Sequence, residues 1–199
     1  MSDSHARPSC GFLFEGACLV GRLLQDEVHK HYPHGECEAA RVSSFSPGRV
    51  EDAETLTRLI IHPIHYDPET QLVSPLAFQD ATTLDLSVFR EGHATDQEIQ
   101  HSIDAVKATG ETRVPPQERL VTLIMQATTA QTRALVFDGT TDRMCTVYDT
   151  GKPTSPAHAS VFTPTCARKG SKQRQVRRAL LELFGALRLA PDSYRPLQY

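Results

Sequence analysis

The sequence predicts an α+β protein built as a single compact domain. Three observations carry that expectation. A chain of 199 residues with 39% hydrophobic content suits one core. Strand-like and helix-like runs alternate irregularly along it, and it contains no internal repeat or low-complexity tract. The sheet is expected to be short and mixed, with an N-terminal helix packed on it and a C-terminal amphipathic basic helix. Residues 1–53 are assigned to a helical arm and linker, and residues 54–199 to the α+β core domain. A 23% charged share, with no apolar run near the roughly 18 residues of a spanning helix, excludes a disordered chain and a helical membrane protein.

Residues 12–31 place Leu13, Ala17, Val20, Leu24 and Val28 on one stripe at helical spacing. Pro33, Gly35 and SSFSPG then give residues 32–53 a loop composition. TLTRLIIHPIHY is apolar and β-branched up to Ile61 and then meets Pro63, which predicts a strand over 56–61. Asp67-Pro68-Glu69-Thr70 has turn chemistry, and LDLSVFR alternates as a strand over 84–90. Thr95 with Glu98 forms a capping box for a helix carrying Ile99, Ile103 and Val106 and stopping near Gly110. RLVTLIMQA favours a buried strand, TTAQTRALVF a short helix and MCTVYD another strand. Residues 171–189 place Val176, Ala179, Leu180, Leu183, Phe184 and Leu187 on one helical face, with Ser171 as the expected cap.

Five cysteines without a CxxC pair argue against a disulfide framework and a zinc ribbon, and favour a reducing compartment. With no secretory signal or spanning helix legible near the N-terminus, the expected location is cytoplasmic. The net charge of −3 conceals an asymmetry: residues 1–100 hold 7 Lys/Arg against 16 Asp/Glu, and residues 101–199 hold 14 against 8. Such halves either present two oppositely charged faces or neutralise each other.

Four constellations have the residue types that chemistry needs. His62, His65 and Asp67 in HPIHYD suit general acid/base work or a divalent ion, with His158 in SPAHASVF as a proton-transfer partner. The alternative for HPIHYD is a turn whose side chains bond local backbone. His29, His31, His34 and Cys37 are four borderline-soft ligands at a helix end, the donor set of a zinc site, although helical residues two apart diverge. Cys145 lies in an apolar strand and is expected to be a small buried hydrophobe rather than a nucleophile; Asp149 is a further acid/base partner for His158. Arg168, Lys169, Lys172, Arg174, Arg177 and Arg178 lead into and along the last helix, where cations oppose the helix dipole unless an anion joins them.

The segments HPIHYDPET, SPLAF and LSVFR within residues 62–90, and SPAHASVF at 155–162, resemble a family of small uncharacterised bacterial proteins. The likeness covers about half the chain and leaves out its first fifty residues. It implies that the two histidine-containing segments come together in the fold, and it brings no activity or cofactor. The leading expectation is a cytoplasmic accessory or binding protein that engages nucleic acid or an acidic protein surface through residues 168–178. The alternatives are a hydrolase or nucleotide-acting transferase using His62, His65, Asp67 and His158, and a protein-binding module that uses the N-terminal helix.

Overall fold

TLTRLIIH is almost wholly buried, as a strand at the centre of a covered sheet must be, and it forms β1 (Thr55–His62). The computed structural model describes residues 7–16, 21–185 and 188–189. β2 (Tyr66–Asp67) and β3 (Leu72–Val73) make a small separate hairpin around the Asp67–Thr70 turn. The main sheet adds β4 (Leu86–Arg90), β5 (Leu120–Thr128), β6 (Thr146–Tyr148), β7 (His158–Phe162) and β8 (Arg188–Leu189). Its order is β6-β7-β4-β1-β5-β8, and every described pairing is antiparallel. The α+β class expected from the sequence is the class observed; in place of a short mixed sheet there are six strands in an antiparallel array.

The helices are α1 (Gly21–His31), α2 (Asp80–Thr83), α3 (Asp96–Glu111), α4 (Thr129–Arg133) and α5 (Gly170–Phe184). Alternation along β1 sends Leu56 and Ile60 to one face of the sheet and Leu59 to the other. The first face packs with Phe78 and with Val176, Leu180 and Phe184 of α5, the Phe78 and Phe184 rings lying 5.1 Å apart. The second face packs with Ile99 and Ile103 of α3. The capping box that opens α3 is present as expected: Thr95 accepts from the Glu98 amide and Glu98 accepts from Thr95.

The final helix differs from its expected span. It begins at Gly170 with Lys169 at the cap position and no side-chain cap bond, so Ser171 is not its cap. It ends at Phe184, where Gly185 takes φ 66, a left-handed conformation that glycine adopts without steric cost and that stops the helix. The chain then returns as β8 along β5. Leu187 lies outside the described residues, as do Ala17 and Val20 of the N-terminal stripe.

The described residues of 7–53 pack on the core. Leu13, Leu24, Val28 and Val42 form a cluster with Tyr148 and Phe162 at the β6–β7 edge, and Phe14 stacks within 5.9 Å of Phe162. The loop composition of residues 32–53 conceals a chain pinned by buried charges. Glu38 accepts from Arg133 at 3.0 Å, from Arg143 at 2.7 Å and from the Val147 amide at 2.6 Å. Asp149 accepts from the Val42 amide at 2.9 Å and also holds Ser46. Arg90 is 2% exposed and donates to Glu54, Gly48 and Arg49. Periodicity cannot reveal such anchors, because each is a single polar residue bonded to backbone far away in sequence.

Cys10 and Cys37 are joined by a disulfide that closes a separation of 27 residues, which corrects the expectation of wholly reduced cysteines. The bond ties the N-terminal segment to the short helix Glu36–Ala39. Constraining the unfolded chain over that span stabilises the fold by about 3.5 kcal/mol in the chain-entropy model. Cys37→Ser, or reduction with dithiothreitol, is expected to lower the unfolding free energy by up to that amount in a urea titration followed by circular dichroism; an unchanged midpoint would show that the bond does not form in solution.

Candidate functional site

β1 keeps β4 as a partner for two pairs, Leu56↔Arg90 and Thr57↔Phe89. The next pair in that register would set Arg58 opposite Val88, but the ladder has ended. The Ser87 carbonyl instead accepts from Nη1 of Arg58 at 2.9 Å, while Nε of Arg58 donates to the Ala77 carbonyl at 3.1 Å. Asp80 is the carboxylate paired with this guanidinium, at 3.4 Å and about half exposed, and Asp85 adds a weaker attraction. Burial works against the charged form of Arg58, and Asp80 offsets part of that effect.

The parting of β1 from β4 opens into a cleft of about 620 Å³. Arg58 lines it with Ser87 and Phe89 of β4 and His158 of β7, and His101 and Ser102 of α3 form another wall. Arg113 and Arg119 enter from the loop after α3, Lys152 and Ser155 from the loop before β7, and His65 from the turn after β1. Arg58, Arg113, Arg119 and Lys152 thus face a single lining carboxylate, Asp80. Cations gathered on a low-dielectric wall focus a field that concentrates anions.

The two histidines are held in defined proton states. A register shift between Ile60 and Ile61 bends the end of β1, and the His65 amide donates to the Ile61 carbonyl at 2.6 Å. The Ile61 amide donates to Nδ1 of His65 at 3.2 Å, so that nitrogen is unprotonated and the proton of the neutral ring sits on Nε2. Burial, then the charges of Arg58 and Arg119, push the His65 pKa down to about 3. His158 places Nδ1 3.1 Å from the Thr150 carbonyl, which can only accept, so Nδ1 carries the proton there. Burial first and Lys152 second push the His158 pKa down to about 4.

Two local devices position these groups. Besides capping α3, Glu98 accepts from the Ala157 amide at 2.9 Å, fixing the backbone just before His158 to the start of that helix. Gly110 lets the loop carrying Arg113 and Arg119 lie against α3, since a Cβ there would fall 2.2 Å from the Gln117 carbonyl oxygen. Around the cleft, Nε of Arg119, Oγ of Ser155 and Nε2 of His158 are buried without a hydrogen-bond partner. Native proteins leave few such atoms unpaired, and here three belong to residues that line one cleft.

The expected catalytic set is therefore divided. His65 and His158 share the cleft, as the expectation that their two segments meet requires. His62 and Asp67 do not line it: Nδ1 of His62 bonds the Tyr66 carbonyl at 3.3 Å, and Asp67 accepts from the Glu69 amide and the Thr70 hydroxyl, the arrangement of a turn. The expected zinc set His29, His31, His34 and Cys37 fails because Cys37 is in the disulfide and completely buried, while Nε2 of His31 pairs with Glu27 at 3.4 Å. Among the described residues, no group of three or more His, Cys, Asp and Glu side chains is arranged to hold a metal. Cys145 is buried with its thiol pushed up to about 12 by desolvation, so it behaves as the expected apolar filler. Asp149 is occupied by residues 42–46 and not by His158.

In the basic segment, Arg178 pairs with Glu182 at 2.7 Å, and Lys172 lies 4.8 Å over the Phe137 ring. Arg174, Arg177 and Arg178 line an open groove that also contains Asp138 and Glu182. Lys169 is exposed, and the side chain of Arg168 lies outside the described residues. Sequence reasoning missed Arg58, His101, Arg113, Arg119, Lys152 and Ser155. The one signal available was Arg58, a charge inside an otherwise apolar strand.

The geometry defines a class, an antiparallel α+β protein with a cationic, histidine-lined cleft at a break in its sheet. Comparison with protein-family models, curated proteins and solved structures finds no match for the chain.

Because both histidines are neutral in the fold and titrate near 6.5 when unfolded, the unfolded state binds more protons between about pH 4 and 6.5. Stability is expected to fall as pH drops through that window, each histidine contributing up to about 1.4 kcal/mol per pH unit. Urea midpoints measured at pH 7 and pH 5 check this, and His65→Gln is expected to flatten the slope by about half. Gly110→Ala is expected to displace the loop bearing Arg113 and Arg119 and to destabilise the fold by about 1–3 kcal/mol through overpacking; an unchanged melting curve would refute the close approach.

Proposed function

We propose that the protein binds a small anionic ligand of the phosphate or phosphate-ester class in the cleft between β1 and β4. One observation carries this reading: four cationic side chains and three unpartnered buried polar atoms converge on a single cleft. Arginine forks match the oxygens of a phosphate, and buried groups without partners gain most from a ligand that completes them. The reading keeps His65 and His158 from the hydrolase or nucleotide-acting transferase alternative and leaves out His62 and Asp67. In an enzyme of that kind the proton on Nε2 of His65 would bond an anionic oxygen, and the bare Nε2 of His158 would face the group that loses a proton.

A second reading retains the basic segment as a contact for nucleic acid or an acidic protein surface. It is supported by the open groove that Arg174, Arg177 and Arg178 line beside a buried, unpartnered Nε2 of Gln175. The paired Arg178 and the two carboxylates in that groove make it the weaker anion site. As to location, no helix among the described residues is long and apolar enough to cross a membrane. The sequence favours the cytoplasm, whereas the Cys10–Cys37 bond favours an oxidising compartment, because cytosolic thiol pairs are kept reduced.

Calorimetric titration with inorganic phosphate and with a nucleoside monophosphate tests the cleft. Binding is expected for the wild type and a loss of at least tenfold in affinity for Arg119→Ala and for Lys152→Ala; unaltered binding in both variants would remove the proposal. Reversing Arg174, Arg177 and Arg178 to Glu is expected to leave phosphate binding intact. If the second reading holds, the same reversal abolishes a salt-dependent association with duplex DNA whose log-log slope is about −0.9 per phosphate contact.

A further inference from the structure

The Thr150 carbonyl settles where the His158 proton lies, and a chain of hydroxyls agrees with it. Oγ of Ser160 donates to the Asp85 carboxylate at 2.8 Å, which uses its only proton. Thr150 must then donate to Ser160, the two oxygens lying 2.7 Å apart, and so Thr150 Oγ1 has only lone pairs to offer Nδ1 of His158 at 2.9 Å. Each link forces the next. Nδ1 is a donor and Nε2 a bare acceptor, buried at the cleft wall without a partner.

The other polar groups that anchor the charge are donors. Arg58, Arg119 and Lys152 have no acceptor capacity, and neutral His65 keeps its proton on Nε2. An anion with lone pairs alone would meet these donors well but would set an oxygen against the lone pair of His158. An anion that also carries a proton would satisfy both.

We propose that the cleft selects an oxyanion bearing its own hydrogen-bond donor, hydrogen phosphate or a phosphate ester with a hydroxyl beside the charge, and that this donor bonds Nε2 of His158. Asp85, Ser160 and Thr150 are positioning residues: they touch no ligand and act by keeping the acceptor bare. The inference rests on the anion-binding reading above and adds to it a rule of selection.

Sulfate and phosphate separate the two ideas, since near neutral pH they are alike in size and charge, but only phosphate retains an O–H. The wild-type chain is titrated calorimetrically with each, and the ring nitrogens of His158 are observed by ¹⁵N NMR without ligand. Phosphate is expected to bind at least tenfold tighter than sulfate, because a site built to bond a hydroxyl rejects the analogue that lacks it. His158→Gln, whose amide can turn either end to the ligand, is expected to reduce that preference to threefold or less. The NMR signature expected is a protonated Nδ1 and a bare Nε2. Asp85→Asn, which can donate as well as accept, is expected to reduce the bias toward that tautomer; an unchanged ¹⁵N pattern in this variant would overturn the positioning role. Equal affinity for the two anions would overturn the selection and leave the anion site standing. Failure of both anions to bind would overturn the anion site itself, and a proton found on Nε2 would overturn the inference whatever the affinities.

Discussion

The charged group of Arg58 stands where the β1–β4 ladder breaks off, and the architecture of the site follows from that substitution of a side chain for a strand pairing. A continuous ladder would have closed the sheet between its central strands. With the Ser87 and Ala77 carbonyls taken by one guanidinium, the strands part without leaving those acceptors unpaired. The opening is then covered by α3 on one side and by the loops of His65, Lys152 and Ser155 on others. A buried cation is costly to keep in a low dielectric, and the arrangement persists because each of its three nitrogens donates a hydrogen bond.

Around that cation the protein concentrates more positive charge and sets two histidines that remain uncharged. The rings stay neutral first because they are buried and then because of the field, Arg58 and Arg119 disfavouring a proton on His65 and Lys152 one on His158. The result is a site whose donors outnumber its acceptors. The opposite charges of the two chain halves are used elsewhere in another way, since Glu38 and Asp52 of the acidic half pair with Arg133 and Arg143 of the basic half. Part of the asymmetry is thus internal neutralisation, and the cleft draws on what remains.

The described residues among the first fifty are integral to the structure. They cover the β6–β7 edge with Leu13, Leu24, Val28 and Val42, and the disulfide fastens them. Phe14 and Glu15 also line a second cavity of about 590 Å³ that shares Lys152 and His158 with the cleft. The arm therefore reaches the far side of the same histidine that the β7 register presents.

Most elements were legible from sequence because their causes are local. The helical spacing of Leu24 and Val28 in α1, the Thr95/Glu98 capping box and the alternation of LSVFR each depend on residues within a few positions of one another. Two of the four residues expected at a catalytic site, His65 and His158, line the cleft, and both stand beside proline-bounded strand ends, where loops collect functional groups. What only the tertiary structure decided is the strand order, the break beside Arg58 and the convergence of Arg113, Arg119, Lys152 and Ser155, residues unremarkable in their own segments. The pairing of Cys10 with Cys37 and the anchoring of residues 32–53 by Glu38, Arg90 and Asp149 belong with these. The physical reason is common to all of them: each is a contact between groups far apart in the chain, and a one-dimensional pattern records which residues can be buried or charged but not which of them will meet.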